Sequence, residues 1–118
     1  MNPEDTALAV GHSTSGAEEL ARRIGAVRFA FGFNTLPSEL LHAMALEQPR
    51  VRPDVLLCGD DKEAKATAFA LARDAGLNPR DAGGLSIARY IEPFSLLVAQ
   101  LAYEPQADPR LFYRFGTL

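Results

Sequence analysis

The chain has 118 residues, 47% of them hydrophobic, and a formal net charge of −3 at pH 7. This length favours one globular domain with a single core, and the acidic balance excludes a basic surface for nucleic acid. The one cysteine, Cys58, excludes an intrachain disulfide. Because it lies in an apolar run, we expect a buried thiol, which fits a reducing, cytoplasmic location.

Neither end of the chain nor its most apolar segment indicates a membrane. The amino terminus, MNPEDT, is acidic and lacks the apolar core of a signal peptide. Residues 94–103 are apolar but too short for a span, which needs about 20 residues. We therefore expect a soluble protein with no membrane partner.

The first predicted element is a helix that begins near Ser15 and ends at Gly25. Ser15-Gly16-Ala17-Glu18 has the capping-box pattern, in which a hydroxyl and a carboxylate satisfy free amides of the first turn. One apolar stripe follows at i, i+3, i+4 and i+7, formed by Ala17, Leu20, Ala21 and Ile24. The helix is therefore expected to pack on a core along this stripe.

A strand and a short helix follow. Apolar residues alternate with others over 27–33, which predicts a strand. Pro37 then suits the first position of a helix that runs to about Leu46. The loop 48–53 contains two prolines and two arginines.

The second half of the chain alternates strand and helix again. The short apolar run 54–59 is typical of a strand buried on both faces. The next helix begins at Asp60-Asp61 and ends at Gly76, with Leu77 placed for a Schellman contact. An extended segment over 77–82, a long helix over 86–103 and a last strand over 111–115 complete the prediction.

This order predicts an α/β fold with a partial Rossmann-like sheet, at least some parallel strands, and a buried C-terminal helix. The last helix is apolar on nearly every face after Pro93, which should kink it or mark a new start. In a chain this small, such a helix suggests a subunit interface.

Several candidate sites fail on their chemistry. The stretch GHSTSG lacks the lysine of a phosphate loop, and Glu18 would oppose a phosphate. Asp60 and Asp61 are expected to cap a helix rather than bind a metal, since no third acid lies nearby. His12, His42 and Cys58 lack the spacing of metal ligands, so we expect no metal. Neither G-x-S-x-G nor G-x-G-x-x-G occurs.

Asn34-Thr35 is the best functional candidate from the sequence. The pair follows a predicted strand, and ligands of open α/β sheets bind outside the carboxyl ends of strands. Turn formation is the alternative, because Asn and Thr readily bond their neighbouring backbone. Ala30 and Gly32 leave room on one face of the strand before the pair, which favours binding.

Three motifs carry a family resemblance that extends from about Leu8 to Phe115. They are F-N-T at 33–35, C-G-D-D-x-x-A-K at 58–65 and D-A-G-x-L-x-x-A-R-x-x-E-P at 81–93. In this order and spacing the chain resembles the NADPH-dependent coenzyme F-420 reductases, or deazaflavin-dependent NADP oxidoreductases. Residues 1–36 are similar to the last Rossmann helix-strand unit, and residues 37–118 are similar to the C-terminal domain that closes the cleft.

The resemblance implies hydride transfer between NADPH and coenzyme F-420 or a flavin in one cleft. It implies that Phe33, Asn34, Thr35, Leu36 and Pro37 line this cleft near the reacting rings. Such a transfer needs no protein acid or base, because the cofactors carry the chemistry. We accordingly expect no catalytic residue in this chain.

The family's glycine-rich N-terminal half has no counterpart here, since Met1-Asn2-Pro3 is similar to a segment beyond it. A sheet without that half would expose an edge and an apolar face. We therefore expect either a homodimer or a separate nucleotide-binding subunit. The expected function is an oxidoreductase module that is incomplete for catalysis alone, and the alternative is a non-catalytic homodimeric remnant.

Overall fold

The computed structural model describes residues 13–25, 28–105 and 107–118. These form a mixed α/β fold, as the sequence predicts. In chain order the elements are α1 (Gly16–Ile24), β1 (Phe31–Gly32), α2 (Ser38–Glu47), β2 (Asp54–Cys58), α3 (Lys62–Asp74), β3 (Asn78–Gly83), a 3-10 turn (Leu85–Ile87) and α4 (Ala88–Tyr103).

The three strands form one sheet in the order β1-β2-β3. β2 and β3 are parallel, joined by α3, and pair Asp54 with Asn78 and Leu57 with Asp81. This parallel pair confirms the prediction that at least some of the strands are parallel. β1 is antiparallel to β2, with Phe31 opposite Cys58.

Helices cover both faces of the sheet, and β2 supplies side chains to each layer. Val55 and Leu57 join one core cluster with residues of α2 and α3, including Met44 and Ala72. Cys58 joins the other cluster, which packs under α1 and α4. This alternation explains why β2 is a continuous apolar run.

The predicted strand 27–33 is much shorter in the structure. Only Phe31 and Gly32 are paired, and Val27 lies outside the described residues. The strand ends because Phe33 has φ 70°, which leaves the extended region. Gly32 is required where it lies, since a Cβ there would be 2.1 Å from Leu57 Cδ2 and 2.8 Å from Leu56 O.

The prediction of a last strand over residues 111–115 is wrong, because the structure has no strand there. Tyr113 O accepts one bond from Asp54 N at 3.1 Å, beside the start of β2. The next possible donor, Phe115 N, bonds the Asp54 carboxylate instead, at 2.7 Å. The Asp54 side chain thus takes the place of the backbone acceptor that a β-ladder would require. The segment 111–115 therefore lies beside β2 without adding a strand to the sheet.

The predicted chemistry is confirmed at several helix termini, but the Glu18 carboxylate bonds the Ser15 hydroxyl and Arg89 instead of the free amide that the capping box requires. Ser15 caps α1, accepting from Glu18 N at 3.1 Å, and Asp61 caps α3, accepting from Ala64 N at 2.8 Å. Gly76 has φ 86°, and Leu77 N donates to Ala72 O at 2.9 Å, which completes the predicted Schellman motif. Pro37 precedes α2 as its N-cap instead of occupying the first helical position.

The apolar stripe predicted on α1 is only half buried. Ala17 and Ala21 are buried, whereas Leu20 and Ile24 are exposed. Ala17 packs against α4 and the 3-10 turn, where its small side chain permits close packing. The two larger side chains of the stripe are not covered by any residue that the structure describes.

α4 is continuous through Pro93, so no new helix starts there. Its buried face consists of Ala88, Ile91, Glu92, Ser95, Val98 and Ala102. The opposite face carries Tyr90, Leu97 and Leu101, which are all more than half exposed. The helix is thus buried on one side only within this chain. Among the described helices, none has the length and apolar character to cross a membrane.

Candidate functional site

The segment 33–37 forms a tight turn between β1 and α2. Leu36 N donates to Phe33 O at 3.3 Å, closing the turn, and Pro37 ends it at the start of α2. Asn34 is exposed at the tip, while Thr35, Leu36 and Pro37 are buried. The polar pair therefore divides: one side chain points to solvent and the other lies within the protein.

A small cavity of about 90 Å³ lies between this turn and α4. The turn contributes residues 34–38 to its wall, and α4 contributes Ser95, Val98, Ala99 and Tyr103. Four of the five predicted site residues thus meet at one cavity. The fifth, Phe33, packs against the core cluster of α2 and α3 instead.

The Thr35 hydroxyl is hydrogen-bonded to the Tyr113 hydroxyl, 78 residues along the chain. The Tyr113 ring meets Phe94 of α4 edge to face, with centroids 5.0 Å apart. Burial raises the pKa of Tyr113, so its phenol stays protonated at neutral pH and can donate. The Thr35 side chain is consequently bonded to the C-terminal part of the chain through Tyr113.

Two further hydroxyls at the cavity have protein partners. Ser95 Oγ donates to Glu92 O at 2.7 Å within α4. Tyr103 OH donates to Glu39 Oε2 at 2.5 Å, and this bond lowers the pKa of Glu39 and raises that of Tyr103. The Asn34 side chain, in contrast, is exposed and makes no hydrogen bond with any described residue.

The amino terminus of α1 is occupied by a carboxylate from α4. Glu92 accepts from Gly16 N at 2.8 Å and from Ala17 N at 2.9 Å. Arg89 makes two bonds to Glu18, at 2.9 and 3.0 Å. The amides that a phosphate would need are therefore already bonded, which agrees with rejecting a phosphate loop at this helix.

The other motifs of the resemblance join elements of the fold together. Lys65 donates to Asp81 Oδ1 at 3.0 Å and to Gly83 O at 3.2 Å, which connects α3 to β3. Asp60 Oδ1 accepts from Leu85 N at 3.0 Å at the start of the 3-10 turn. These hydrogen bonds connect the motif at 58–65 to the motif at 81–93, so packing and capping alone explain why both motifs have these residues at this spacing.

The remaining candidates have ordinary roles. Cys58 is fully buried, and its pKa is raised to about 11, mainly by burial. His42 is exposed on α2, and His12 lies outside the described residues. Within ranges 13–25, 28–105 and 107–118, no group of three or more His, Cys, Asp or Glu is placed to hold a metal ion.

Tyr113 and the α4 residues of the cavity were not predicted from the sequence. They lie some 60 to 80 positions from the turn, and no local pattern links them to it. Arg89 and Glu92 did carry a signal: an acid at i+3 from an arginine in an otherwise apolar helix needs a partner once buried. The structure places the partners of both side chains on α1 and not at the cavity.

The chain has a partial similarity to known proteins. No protein-family model matches the chain. Metalloreductase STEAP3 of Rattus norvegicus is 38% identical over 85 residues, which cover 72% of this chain. The chain is similar to a segment of a metalloreductase. It spans about 17% of the length of that protein. The expected relationship to an oxidoreductase is supported at this coarse level.

Proposed function

We propose that this chain is a module of an NADP-linked oxidoreductase and supplies the coenzyme F-420 or flavin side of a hydride-transfer cleft. The Phe33–Pro37 turn is the part that contacts the cofactor. The observation that carries this proposal is the turn itself, which presents a free amide and a buried hydroxyl beside a cavity under α4. The similarity to a metalloreductase supports the reaction class.

The backbone of the turn gives independent support. Phe33 has φ 70° although it is neither glycine nor asparagine. Such a conformation costs a bulky residue about 1–2 kcal/mol. Backbone strain of this kind is concentrated at ligand and active sites, where the surrounding structure maintains it.

The cavity limits how a cofactor can bind. At about 90 Å³ it has room for roughly three waters, given ~30 Å³ for each. It therefore suits the polar edge of a ring and not a whole tricyclic system. Asn34 and Thr35 offer the donors and acceptors that such an edge requires, and the remainder of the cofactor would lie outside, against the exposed tip of the turn.

The bound cofactors would supply the hydride chemistry, while these residues bind and orient one ring. We place NADPH on a different unit, such as a separate nucleotide-binding subunit. The 118 residues contain no G-x-G-x-x-G, and the amides of the first turn of α1 already bond Glu92.

Titration of the purified chain with coenzyme F-420, FMN and NADPH, followed by fluorescence, tests this function. We expect F-420 or FMN to bind and NADPH not to bind at micromolar concentration. Thr35→Val should weaken the interaction. Thr67→Val is the matched control, because Thr67 is exposed on α3 and bonds only Glu63 O.

Two outcomes would contradict this proposal. If the chain binds neither F-420 nor FMN, the turn is not a cofactor site in this chain. If NADPH binds at micromolar concentration, the division of the two cofactors between units is wrong.

A non-catalytic homodimer is the second candidate function. It is favoured by the exposed stripe of Tyr90, Leu97 and Leu101 on α4, together with Leu20 and Ile24 on α1. Large apolar side chains grouped on a surface are typical of an interface. Light scattering should then give the mass of a dimer for the chain, and Leu97→Glu should give a folded monomer. A wild-type monomer would contradict this candidate.

A further inference from the structure

The segment 111–115, called the C-terminal strap below, is fixed to the sheet at two successive points. Tyr113 O accepts from Asp54 N at 3.1 Å, and Phe115 N donates to Asp54 Oδ2 at 2.7 Å. Arg80 Nε bonds the same carboxylate oxygen at 2.7 Å, and its Nη2 also donates to Phe115 O. The strap is thus held by both the backbone and the buried side chain of Asp54.

The Tyr113 ring is fixed as firmly as its backbone. Its centroid lies 5.0 Å from that of Phe94 at an interplanar angle of 84°, and 5.7 Å from that of Phe115 at 68°. Edge-to-face contacts of this kind favour one orientation of the ring. The Tyr113 hydroxyl is held by these ring contacts together with its hydrogen bonds to Thr35 and to the Leu56 backbone.

The Thr35 side chain is restricted as well. It is 1% exposed, and Tyr113 is the partner of its hydroxyl among the described residues. A hydroxyl can donate one hydrogen bond and accept two. The bond to Tyr113 uses one of these, so the Thr35 hydroxyl can form a further hydrogen bond with a ligand in the cavity. The bond to Tyr113 also restricts the rotation of the Thr35 side chain. It therefore fixes the direction in which the hydroxyl can form its remaining hydrogen bonds.

We propose that Tyr113 is a positioning residue: its hydroxyl holds Thr35 in the orientation that Thr35 needs to bond the ring edge of a deazaflavin or flavin. This inference rests on the function proposed above and extends it to a residue far away in sequence. It also gives the C-terminal strap a role, because the strap carries Tyr113 to the cavity.

The test measures the affinity of the full chain for FMN and for coenzyme F-420. Tyr113→Phe keeps the ring and its contacts with Phe94 and removes only the hydroxyl. We expect it to weaken binding about 3- to 10-fold, the effect of one hydrogen bond. Tyr90→Phe is the control, because Tyr90 is exposed and does not line the cavity, and it should leave the affinity unchanged.

A double-mutant cycle separates positioning from a general loss of structure. Since Tyr113 acts through Thr35, the double variant Tyr113→Phe/Thr35→Val should bind no more weakly than Thr35→Val alone. Thr35→Ser keeps a hydroxyl for Tyr113 to hold and should stay within about twofold of wild type. This last variant also provides a test if Tyr113→Phe does not fold.

The outcomes distinguish the inference from the function on which it rests. If wild type binds FMN or F-420 and Tyr113→Phe binds equally well, the inference is overturned and the proposed function stands. Additive losses in the double variant, or a Thr35→Ser variant as weak as Thr35→Val, overturn it as well. If wild type binds neither cofactor, both are overturned.

Discussion

Glu92 of α4 accepts a hydrogen bond from the backbone N–H of Ala17 at 2.9 Å, across 75 positions of the chain. Its other oxygen accepts from Gly16 N at 2.8 Å. A carboxylate at this position satisfies two of the free amides of α1 and lies at the positive end of the helix dipole. This contact connects the helix that opens the described chain to the helix that covers the cavity.

Glu92→Gln should lower the free energy of unfolding by about 1–2 kcal/mol, because it removes charge-assisted bonds and presents an NH₂ group to one of two N–H donors. Urea unfolding measures the loss. Glu104→Gln is the matched control, since Glu104 is an exposed C-cap residue, and it should change stability by less than about 0.5 kcal/mol. Equal stabilities for the two variants would show that Glu92 does not hold α1.

Asp54 should make the protein sensitive to acid. Burial tends to raise its pKa, but hydrogen bonds from Asn78, Phe115 and Arg80 outweigh this effect, so the pKa lies below the ordinary value of 3.8. The folded state therefore favours the carboxylate. Its contribution to stability is present above pH 3.8 and is lost as the pH falls through the lower pKa of the folded state.

Asp54→Asn removes this dependence and is expected to cost about 1–3 kcal/mol at pH 7, the range for disturbing buried hydrogen bonds to a charged group. Urea unfolding at pH 7 and at pH 3 measures both effects. Asp74→Asn, at the exposed end of α3, should keep the acid dependence of wild type. If Asp54→Asn loses as much stability on acidification as wild type, Asp54 is not the responsible group.

Cys58 should react very slowly in the folded protein. Its pKa is about 11, against 9.0 for an ordinary thiol, so the thiolate fraction at pH 8 falls by about 100-fold before burial blocks the reagent as well. The rate of reaction with a disulfide reagent such as DTNB, compared before and after unfolding in guanidinium chloride, measures this. Cys58→Ser gives the background. Native and unfolded rates within a few-fold of each other would contradict a buried thiol.

Gly32→Ala should destabilise the sheet by about 1–3 kcal/mol, because the new Cβ overlaps Leu57 Cδ2 and the carbonyl oxygen of Leu56. Leu57 can rotate away, but the Leu56 backbone cannot move without disturbing β2. Gly116→Ala is the control, since nothing lies within 4 Å of a Cβ there. Thermal unfolding compares the two variants, and a Gly32→Ala protein as stable as its control would show that β1 tolerates displacement.

The parts of the fold that could be predicted are those that depend on neighbouring residues. The Ser15 and Asp61 caps, the Schellman end at Gly76 and Leu77, and the buried strand β2 each follow from a pattern a few residues long. Their chemistry is completed within one turn or one strand. For the same reason, the segment 33–37 could be recognised as a turn that carries a polar pair.

Two of the errors concern partners that are distant in sequence, and the third is a local change of backbone conformation. Residues 111–115 have the composition of a strand, but the Asp54 side chain takes the bond that a ladder would have used. Strand 27–33 is reduced to two described residues because Phe33 leaves the extended conformation. Leu20 belongs to an apolar stripe but lies exposed, whereas Ala17 of the same stripe packs against α4.

The sequence by itself determined the order of the elements from α1 to α4, the presence of some parallel strands and the place of the polar turn, since local hydrogen bonding and side-chain period encode most of these features. Only the tertiary structure decided that Thr35 meets Tyr113, that Glu92 occupies the α1 terminus, and that the Asn34 amide finds no partner among the described residues. The physical reason is that a buried polar group must find a partner wherever the packed chain brings one, and that choice is made between residues 75 or more positions apart.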